Sequence, residues 1–288
     1  MSLPTPHAPL GAHASFNFGP VGAAAGFAVP ASAPIAQDLY VGCRHSPAEP
    51  WSLLPFFAPA AAGPQPLAKG RFGRFLAWSG DKWMIGPLVF KLCTPFDLAA
   101  APADESFACA PVVCAYLEYD NTHSPDAVEL VFGLGAEAAP LGASGLAGFA
   151  FGDAYGFAAA ASPEVTLRRD VAIFDTAIGS AAALHFSVPP HAKRLYPLVL
   201  AFHSPGLFAA KLFPSLSDSL AYGLAQHARY LALSDARDAE FMRSNADFAR
   251  KTQLALDTRA WLAQSRRGAG DAPLDLAGLR DLAGQVTG

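Results

Sequence analysis

The distribution of proline is the sequence feature that most limits the fold of this 288-residue chain. All but one of its 25 prolines precede Leu216, and Pro273 is the exception. Proline cannot donate to a sheet ladder and is excluded from helix interiors, so frequent prolines mark the ends and edges of short strands. The chain therefore divides near Pro214 into a strand-rich part and a part that is free to form helices.

Short apolar segments separated by proline and glycine predict strands in the first part. The predicted segments are residues 15–19, 38–44, 84–96, 110–121, 127–135, 165–176, 181–189 and 194–206. A short polar turn joins 110–121 to 127–135, which predicts a β-hairpin. The glycine-rich stretch 142–161 lacks the Lys-Ser/Thr pair of a phosphate-binding loop, so it is interpreted as strands with tight turns. This pattern favours two packed antiparallel sheets.

Beyond Pro214 the period of the apolar residues becomes helical. The recurring positions are Leu220, Leu224, His227, Leu231, Phe241, Asn245, Phe248 and Thr252. Ser217 is the expected N-cap of the first helix, and a last short helix is expected to start at Pro273. We therefore predict a mainly β fold, with a large antiparallel β-sandwich of the supersandwich kind over residues 1–213. Two or three α-helices follow over residues 214–288.

Composition restricts the class of partner and the cellular compartment. The formal net charge of −4 gives no reason to expect a nucleic acid or an anionic membrane as partner. The first residues show neither a basic nor an apolar signal region, so we expect no secretory signal, and no apolar run reaches the roughly 18 residues of a membrane span. None of Cys43, Cys93, Cys109 and Cys114 forms a C-x-x-C pair. We expect buried, reduced thiols in a cytoplasmic protein with no metal and no cofactor.

Few ionisable residues stand in a pattern that predicts catalysis. Glu118 and Asp120 share one face of a predicted strand, as a pair of catalytic carboxylates could. The sequence around them, EYDNTHSPD, is more typical of a strand end that runs into a turn capped by Asp and Asn. His185 and His203 stand singly in apolar strands, and Ser204 lacks the glycines of a nucleophile elbow. A metal site built on His7 and His13 has no ligand spacing to support it.

Several motifs occur in the order seen in one known family. The chain opens with HAPLGAHASFNFGPVGAAAGFAV, followed by DLYVGC and LLPFF. DKWMIGPLVFKLCTPF precedes an acidic, proline-containing loop, AAAPADES, and is followed by APVVCAYLEYDNT, RLYPLVLAFHSPG and FMRSNADF. Over residues 7–262 this order resembles glycoside hydrolase family 52, the β-xylosidases. The opening motif and the Asp-Asn-Thr turn are its most specific parts.

The resemblance implies a β-sandwich that packs on a helical (α/α)6 barrel, and a retaining reaction that releases terminal β-1,4-linked xylose. In that family both catalytic carboxylates belong to the barrel, and residues 214–288 correspond only to its linker and its start. We therefore expect a truncated or split form that lacks catalytic residues and is inactive alone. Its partners would be a xylo-oligosaccharide or another small glycoside, and a catalytic helical domain in trans or a second copy.

The opening motif is also the expected sugar-contacting segment. Imidazole and hydroxyl groups suit sugar hydroxyls, so His7, His13 and Ser15 are the candidate substrate-binding residues. Two other interpretations stay open. The sandwich could be a non-catalytic carbohydrate-binding or assembly module that uses Trp51, Trp78 and Trp83 as stacking surfaces, although core packing is the commoner use of tryptophan. Alternatively, a small enzyme could use Glu118, Asp120 or Asp153.

Overall fold

The computed structural model describes residues 7–10, 14–17, 26–28, 35–36, 39–54, 72–93, 104, 106–107, 110–134, 138–169, 182–203, 205, 209–244, 247, 250–251 and 284. The strands are β1 (His7–Leu10), β2 (Ala14–Asn17), β3 (Gly26–Ala28), β4 (Ile35–Ala36), β5 (Leu39–Arg44), β6 (Ser52–Leu53), β7 (Phe72–Leu76), β8 (Gly80–Ile85), β9 (Leu88–Cys93), β10 (Val112–Asp120), β11 (Val128–Leu134), β12 (Ala139–Pro140), β13 (Leu146–Phe151), β14 (Tyr155–Ala160), β15 (Val165–Arg169), β16 (Ala182–Val188) and β17 (Lys193–Phe202). The helices are α1 (Ala209–Leu212), α2 (Leu216–Ala225) and α3 (His227–Arg243).

The strands form three antiparallel sheets. The largest has eight strands in the order β12-β13-β14-β17-β10-β9-β8-β7, and a second has five in the order β15-β16-β11-β5-β6. The strands β1 to β4 form a small sheet in chain order, which contacts β10 through β1 and β2. The predicted fold class, an antiparallel β-sandwich followed by helices, is confirmed.

Alternating side chains build the core between the two large sheets. On β10, Val113, Ala115, Leu117 and Tyr119 are buried in this core because every second side chain of a strand points to the same face. The rings of the two sheets meet there: Phe132 on β11 lies 5.1 Å from Phe157 on β14, centroid to centroid, in an edge-on arrangement. Burial of such rings is the main source of stability in a sandwich core.

The predicted hairpin of residues 110–121 and 127–135 is wrong. β10 pairs with β9 and β17, whereas β11 pairs with β5 and β16, so the connection crosses from one sheet to the other. Asn121 fixes this crossing, because its side-chain amide donates to the carbonyls of Asp126 (2.8 Å) and Pro189 (2.9 Å). A polar six-residue connection serves a hairpin and a sheet crossing equally well, which is why the turn residues misled the prediction.

The helices cover the outer face of the eight-stranded sheet. Buried residues of that face, among them Val112, Cys114 and Val199, form a second core with Leu216 and Leu220 of α2. At Gly223 a Cβ atom would lie 2.6 Å from the Cγ1 atom of Val199. Only glycine, which has no Cβ, therefore allows α2 to lie this close to the sheet. The apolar side of the helices is therefore covered by the sandwich itself.

The cap of α2 is Ser215, two residues before the expected Ser217. Ser215 accepts from the backbone N–H of Asp218, and the Asp218 side chain accepts from the backbone of Ser215. This reciprocal box needs an acidic residue three positions after the cap, and Asp218 has that spacing only from Ser215. The helical stripe breaks at Gln226, so α2 and α3 are separate helices. The domain boundary at 213/214 remains a prediction.

Candidate functional site

Two of the three predicted sugar-contacting residues lie on adjacent strands of the small sheet. His7 on β1 is opposite Asn17 in the register, and Ser15 on β2 is opposite Pro9 of β1 and Ala28 of β3. His13 lies outside the described residues. The roles of His7, His13 and Ser15 in binding sugar remain predictions.

The paired carboxylates of β10 have partners at the end of the strand. Asp120 accepts from the hydroxyl (2.6 Å) and the backbone N–H (3.2 Å) of Thr122, and these bonds lower the pKa of its carboxyl. Glu118 forms an ion pair with Lys193 at 2.9 Å. The turn interpretation is confirmed. Asp153 lies in the tight turn between β13 and β14.

The tryptophans are not stacking surfaces. Trp51, Trp78 and Trp83 are 5%, 1% and 1% exposed, so no sugar ring can reach their faces. Trp83 belongs to the core between the sheets, and Trp51 packs edge-on against the imidazole of His185. Their large apolar area is used to exclude water from the interior, which corrects the idea of a tryptophan-based sugar platform.

The most chemically distinct site in the described part of the chain is a groove of about 400 Å³ between the β7–β9 end of the large sheet and α3. It will be called the α3 groove. Its lining residues are Phe75, Ala77, Gly80, Lys82, Met84, Lys91, Asp235, Asp238, Ala239 and Met242. Ligand pockets in proteins typically have volumes of about 300–1,000 Å³, so the α3 groove is large enough for a small molecule.

The floor of the α3 groove is a charged cluster. The ammonium of Lys91 lies 2.5 Å from the Oδ1 atom of Asp235 and 3.9 Å from the Oδ2 atom of Asp238. The other oxygen of Asp238 accepts from the backbone N–H groups of Ser79 (2.6 Å) and Gly80 (3.2 Å). Asp238 therefore joins α3 to the β7–β8 turn as well as to β9.

Strand register and helical spacing explain why these side chains face the groove. Phe75, Lys82 and Lys91 are opposite one another in the register of β7, β8 and β9, so they form one row on the outer face of the sheet. Asp235 and Asp238 are three residues apart and thus share one side of α3. Gly80 leaves room for them, because a Cβ there would lie 2.6 Å from the Asp238 carboxylate.

Burial and charge act on Lys91 in opposite directions. Burial disfavours the ammonium, but the neighbouring Cys93 sulfur and the two aspartates outweigh it and hold the pKa of Lys91 above its ordinary value. Burial raises the pKa of the Cys93 thiol to about 12, so Cys93 is not a nucleophile at neutral pH. Cys43, Cys93 and Cys114 are free and buried, as predicted.

The α3 groove can bind and orient, but its carboxylates are not arranged for retaining glycoside hydrolysis. That reaction needs two carboxyl groups about 5–5.5 Å apart with the scissile bond between them. Here the ammonium of Lys91 occupies the space between Asp235 and Asp238. Among the described residues no group of three or more His, Cys, Asp or Glu side chains is suited to hold a metal ion, and no helix could span a membrane.

Sequence reasoning missed this groove. The only local signal is a lysine inside the otherwise apolar strand LVFKLC, since a buried lysine requires a partner. Nothing in the sequence pairs Lys91 with Asp235, which is 144 positions away.

Comparisons with known proteins identify the family of the chain. A β-xylosidase of Geobacillus stearothermophilus is 24% identical over 159 residues, which are 44% of this chain and 26% of that protein. The chain thus matches about a quarter of the length of that curated relative. A putative kojibiose phosphorylase from the human microbiome superposes over 90% of this chain and 38% of its own, with 8% identity and a TM-score of 0.42. The family model for glycosyl hydrolase family 52 matches residues 16–268, and the chain belongs to that family.

Proposed function

We propose that this chain is the β-sandwich part of a retaining β-xylosidase that removes terminal β-1,4-linked xylosyl residues from xylo-oligosaccharides. The match to glycosyl hydrolase family 52 over residues 16–268 carries this proposal, because it spans the sandwich and the helices that pack on it. The similarity to a protein named β-xylosidase supports the choice of sugar. We propose a cytoplasmic location and a role in xylan degradation for the same reason.

In this proposal the sandwich supports catalysis, and a helical domain supplies the reacting carboxylates. Several carboxylates of the sandwich have structural partners. Glu118 forms an ion pair with Lys193 and Asp104 with Arg229, and Glu164 accepts a hydrogen bond from the hydroxyl of Tyr196. Retention requires a carboxylate nucleophile and a second carboxyl that acts first as acid and then as base. The helical domain is either part of the same polypeptide or contributed by another chain.

The test compares two preparations. The first is the purified chain, expressed alone. The second is the same chain isolated from its source cells through a chromosomal affinity tag, together with any partner that it binds there. We expect release of 4-nitrophenol from 4-nitrophenyl β-D-xyloside only in the second preparation, with β-xylose as the first sugar seen by proton NMR. A preparation from cells that lacks xylosidase activity contradicts the proposal. Turnover by the purified chain, lost in Glu118→Gln/Asp120→Asn, would place the catalytic carboxylates in the sandwich instead.

A second candidate function is non-catalytic binding of carbohydrate. The observation that favours it is the α3 groove, whose lining residues all belong to this chain.

A further inference from the structure

The α3 groove combines unused polar groups with exposed apolar walls. Phe75 is 46% and Met242 49% exposed, and together with the half-buried Met84 they form the walls. In the part of the chain that the structure describes, the ammonium of Lys82 makes no hydrogen bond or ion pair. The Asp235 side chain is 67% exposed and uses one oxygen on Lys91, so its second oxygen faces solvent.

The charges of the α3 groove balance. Two ammonium groups, Lys82 and Lys91, are opposed by two carboxylates, Asp235 and Asp238. A strongly charged ligand would meet a like charge at short distance, which is unfavourable in a partly desolvated site. The groove therefore complements a neutral molecule that accepts a hydrogen bond from an ammonium and donates one to a carboxylate. The molecule would also present an apolar surface between its hydrogen-bonding groups.

We infer that the α3 groove is a non-catalytic binding site for a short neutral oligosaccharide, with β-1,4-linked xylosyl units as its ligand. A pyranose ring with only equatorial hydroxyls has polar edges and two C–H faces. Lys82 and Asp235 hydrogen-bond the hydroxyl edge, and a C–H face packs on the ring of Phe75 against Met84 and Met242. The choice of xylosyl units rests on the proposed function, whereas the class of neutral oligosaccharide rests on the groove alone.

The recognition groups of the α3 groove are held in place by the fold. Its floor is fixed by the bonds of Asp238 to the β7–β8 turn, so the recognition groups stand on a rigid sheet and helix. Its role is to hold the substrate chain near the enzyme, and turnover need not occur for it to bind.

Calorimetric titration of the full chain with xylotriose tests the inference. We expect saturable binding. The affinity for xylotriose should fall at least about tenfold in Phe75→Ala, because one ring contact is lost, and by a comparable factor in Asp235→Asn and Lys82→Gln. Leu167→Ala is the matched control, because Leu167 is an exposed apolar residue of the other sheet, 38% exposed. All variants are expected to stay folded, with a thermal midpoint within about 4 °C of the parent, since the changed side chains are exposed or half-buried.

Other results would overturn the inference. Absence of xylotriose binding does so, as does binding that the three variants leave unchanged. Binding of cellotriose but not xylotriose, abolished by the same variants, overturns the xylosyl specificity. A doubled mass in light scattering that Phe75→Ala returns to the monomer would show that a second copy covers the groove. The nitrophenyl xyloside assay decides the proposed function separately, because binding is measured here without turnover.

Discussion

The two longer helices lie on the same face of the same sheet but are held there by different forces. α2 is attached by packing: its buried Leu216, Leu220 and Gly223 press into the sheet, and its first turn is closed by a capping box. α3 has no side-chain cap at Gln226, and directed polar bonds attach it to the sheet in addition to the packing of its buried Tyr230 and Phe241. The α3 groove lies beside the helix that adds polar bonds to its packing.

The bonds of α3 begin with its first turn. The Nε2 atom of His227 donates to the carbonyl of Ala115 on β10 at 2.6 Å. Arg229 pairs with Asp104 at 2.9 Å and lies over the ring of Phe107, and the hydroxyl of Tyr230 donates to the Phe107 carbonyl. Together with Asp238, these bonds locate the helix, and the buried ring of Phe241 packs on Trp78 near its C-terminal end.

The largest expected effect is on the packed helix. Gly223→Val would place methyl groups inside Val199 and Val112, where the nearest atoms already lie 2.6 and 3.1 Å from an added Cβ. We expect a loss of about 3 kcal/mol in the free energy of unfolding, measured in urea, because overpacking outweighs the gain in helix propensity. Gly142→Ala, where an added Cβ meets nothing within 4 Å, is the control. Equal stability of the Gly223→Val protein would refute tight packing of α2.

A smaller effect is expected at the polar attachment of α3. Asp238→Asn removes a charge from beside the largely buried Lys91 and leaves only a neutral amide oxygen to accept from the β7–β8 turn, so we expect about 2 kcal/mol of destabilisation. Asp235→Asn is the matched change on a carboxylate that is 67% exposed, and it should lower the unfolding free energy by less than about 1 kcal/mol. A larger effect at Asp235 than at Asp238 would reverse this ranking.

Tyr230→Phe tests a single bond of the same helix. The change leaves the carbonyl of Phe107 without its donor in a buried place, so we expect a loss of about 1.5 kcal/mol in urea unfolding. The stacked contact of the two rings, 4.1 Å between centroids, remains in the variant. Tyr222→Phe serves as the control. If both variants lose the same stability, the hydroxyl of Tyr230 contributes nothing specific.

The smallest effect concerns pH. Burial lowers the pKa of His227 from its ordinary value of 6.5, so the folded state binds this proton less readily than the unfolded state. The stabilisation is complete above pH 6.5 and declines as the pH falls below it, by at most about 1.4 kcal/mol per pH unit. Urea unfolding between pH 5 and 8 should show a weaker acid loss for His227→Gln. Identical pH profiles would contradict the buried, neutral imidazole.

Local patterns predicted the strands well and the long-range arrangement poorly. Apolar segments bounded by turn residues identified β5, β16 and β17, which are buried on both faces over much of their length. The partner of β10 could not be deduced, since the connection at Asn121 has the same residues in a hairpin and in a sheet crossing. The α3 groove was invisible for a related reason: it depends on Lys91, Asp235 and Asp238 meeting across more than 140 positions.

Three buried thiols in the described ranges, those of Cys43, Cys93 and Cys114, can report on motions of the molecule. Cys43 lies between the two large sheets, whereas Cys93 and Cys114 lie under the helices. A small alkylating reagent reaches the second pair when a helix lifts, but reaches Cys43 only when the sheets part. The ratio of the labelling rates of Cys93 and Cys114 to that of Cys43 therefore reports how often the helices separate from the sheet while the two large sheets stay packed together.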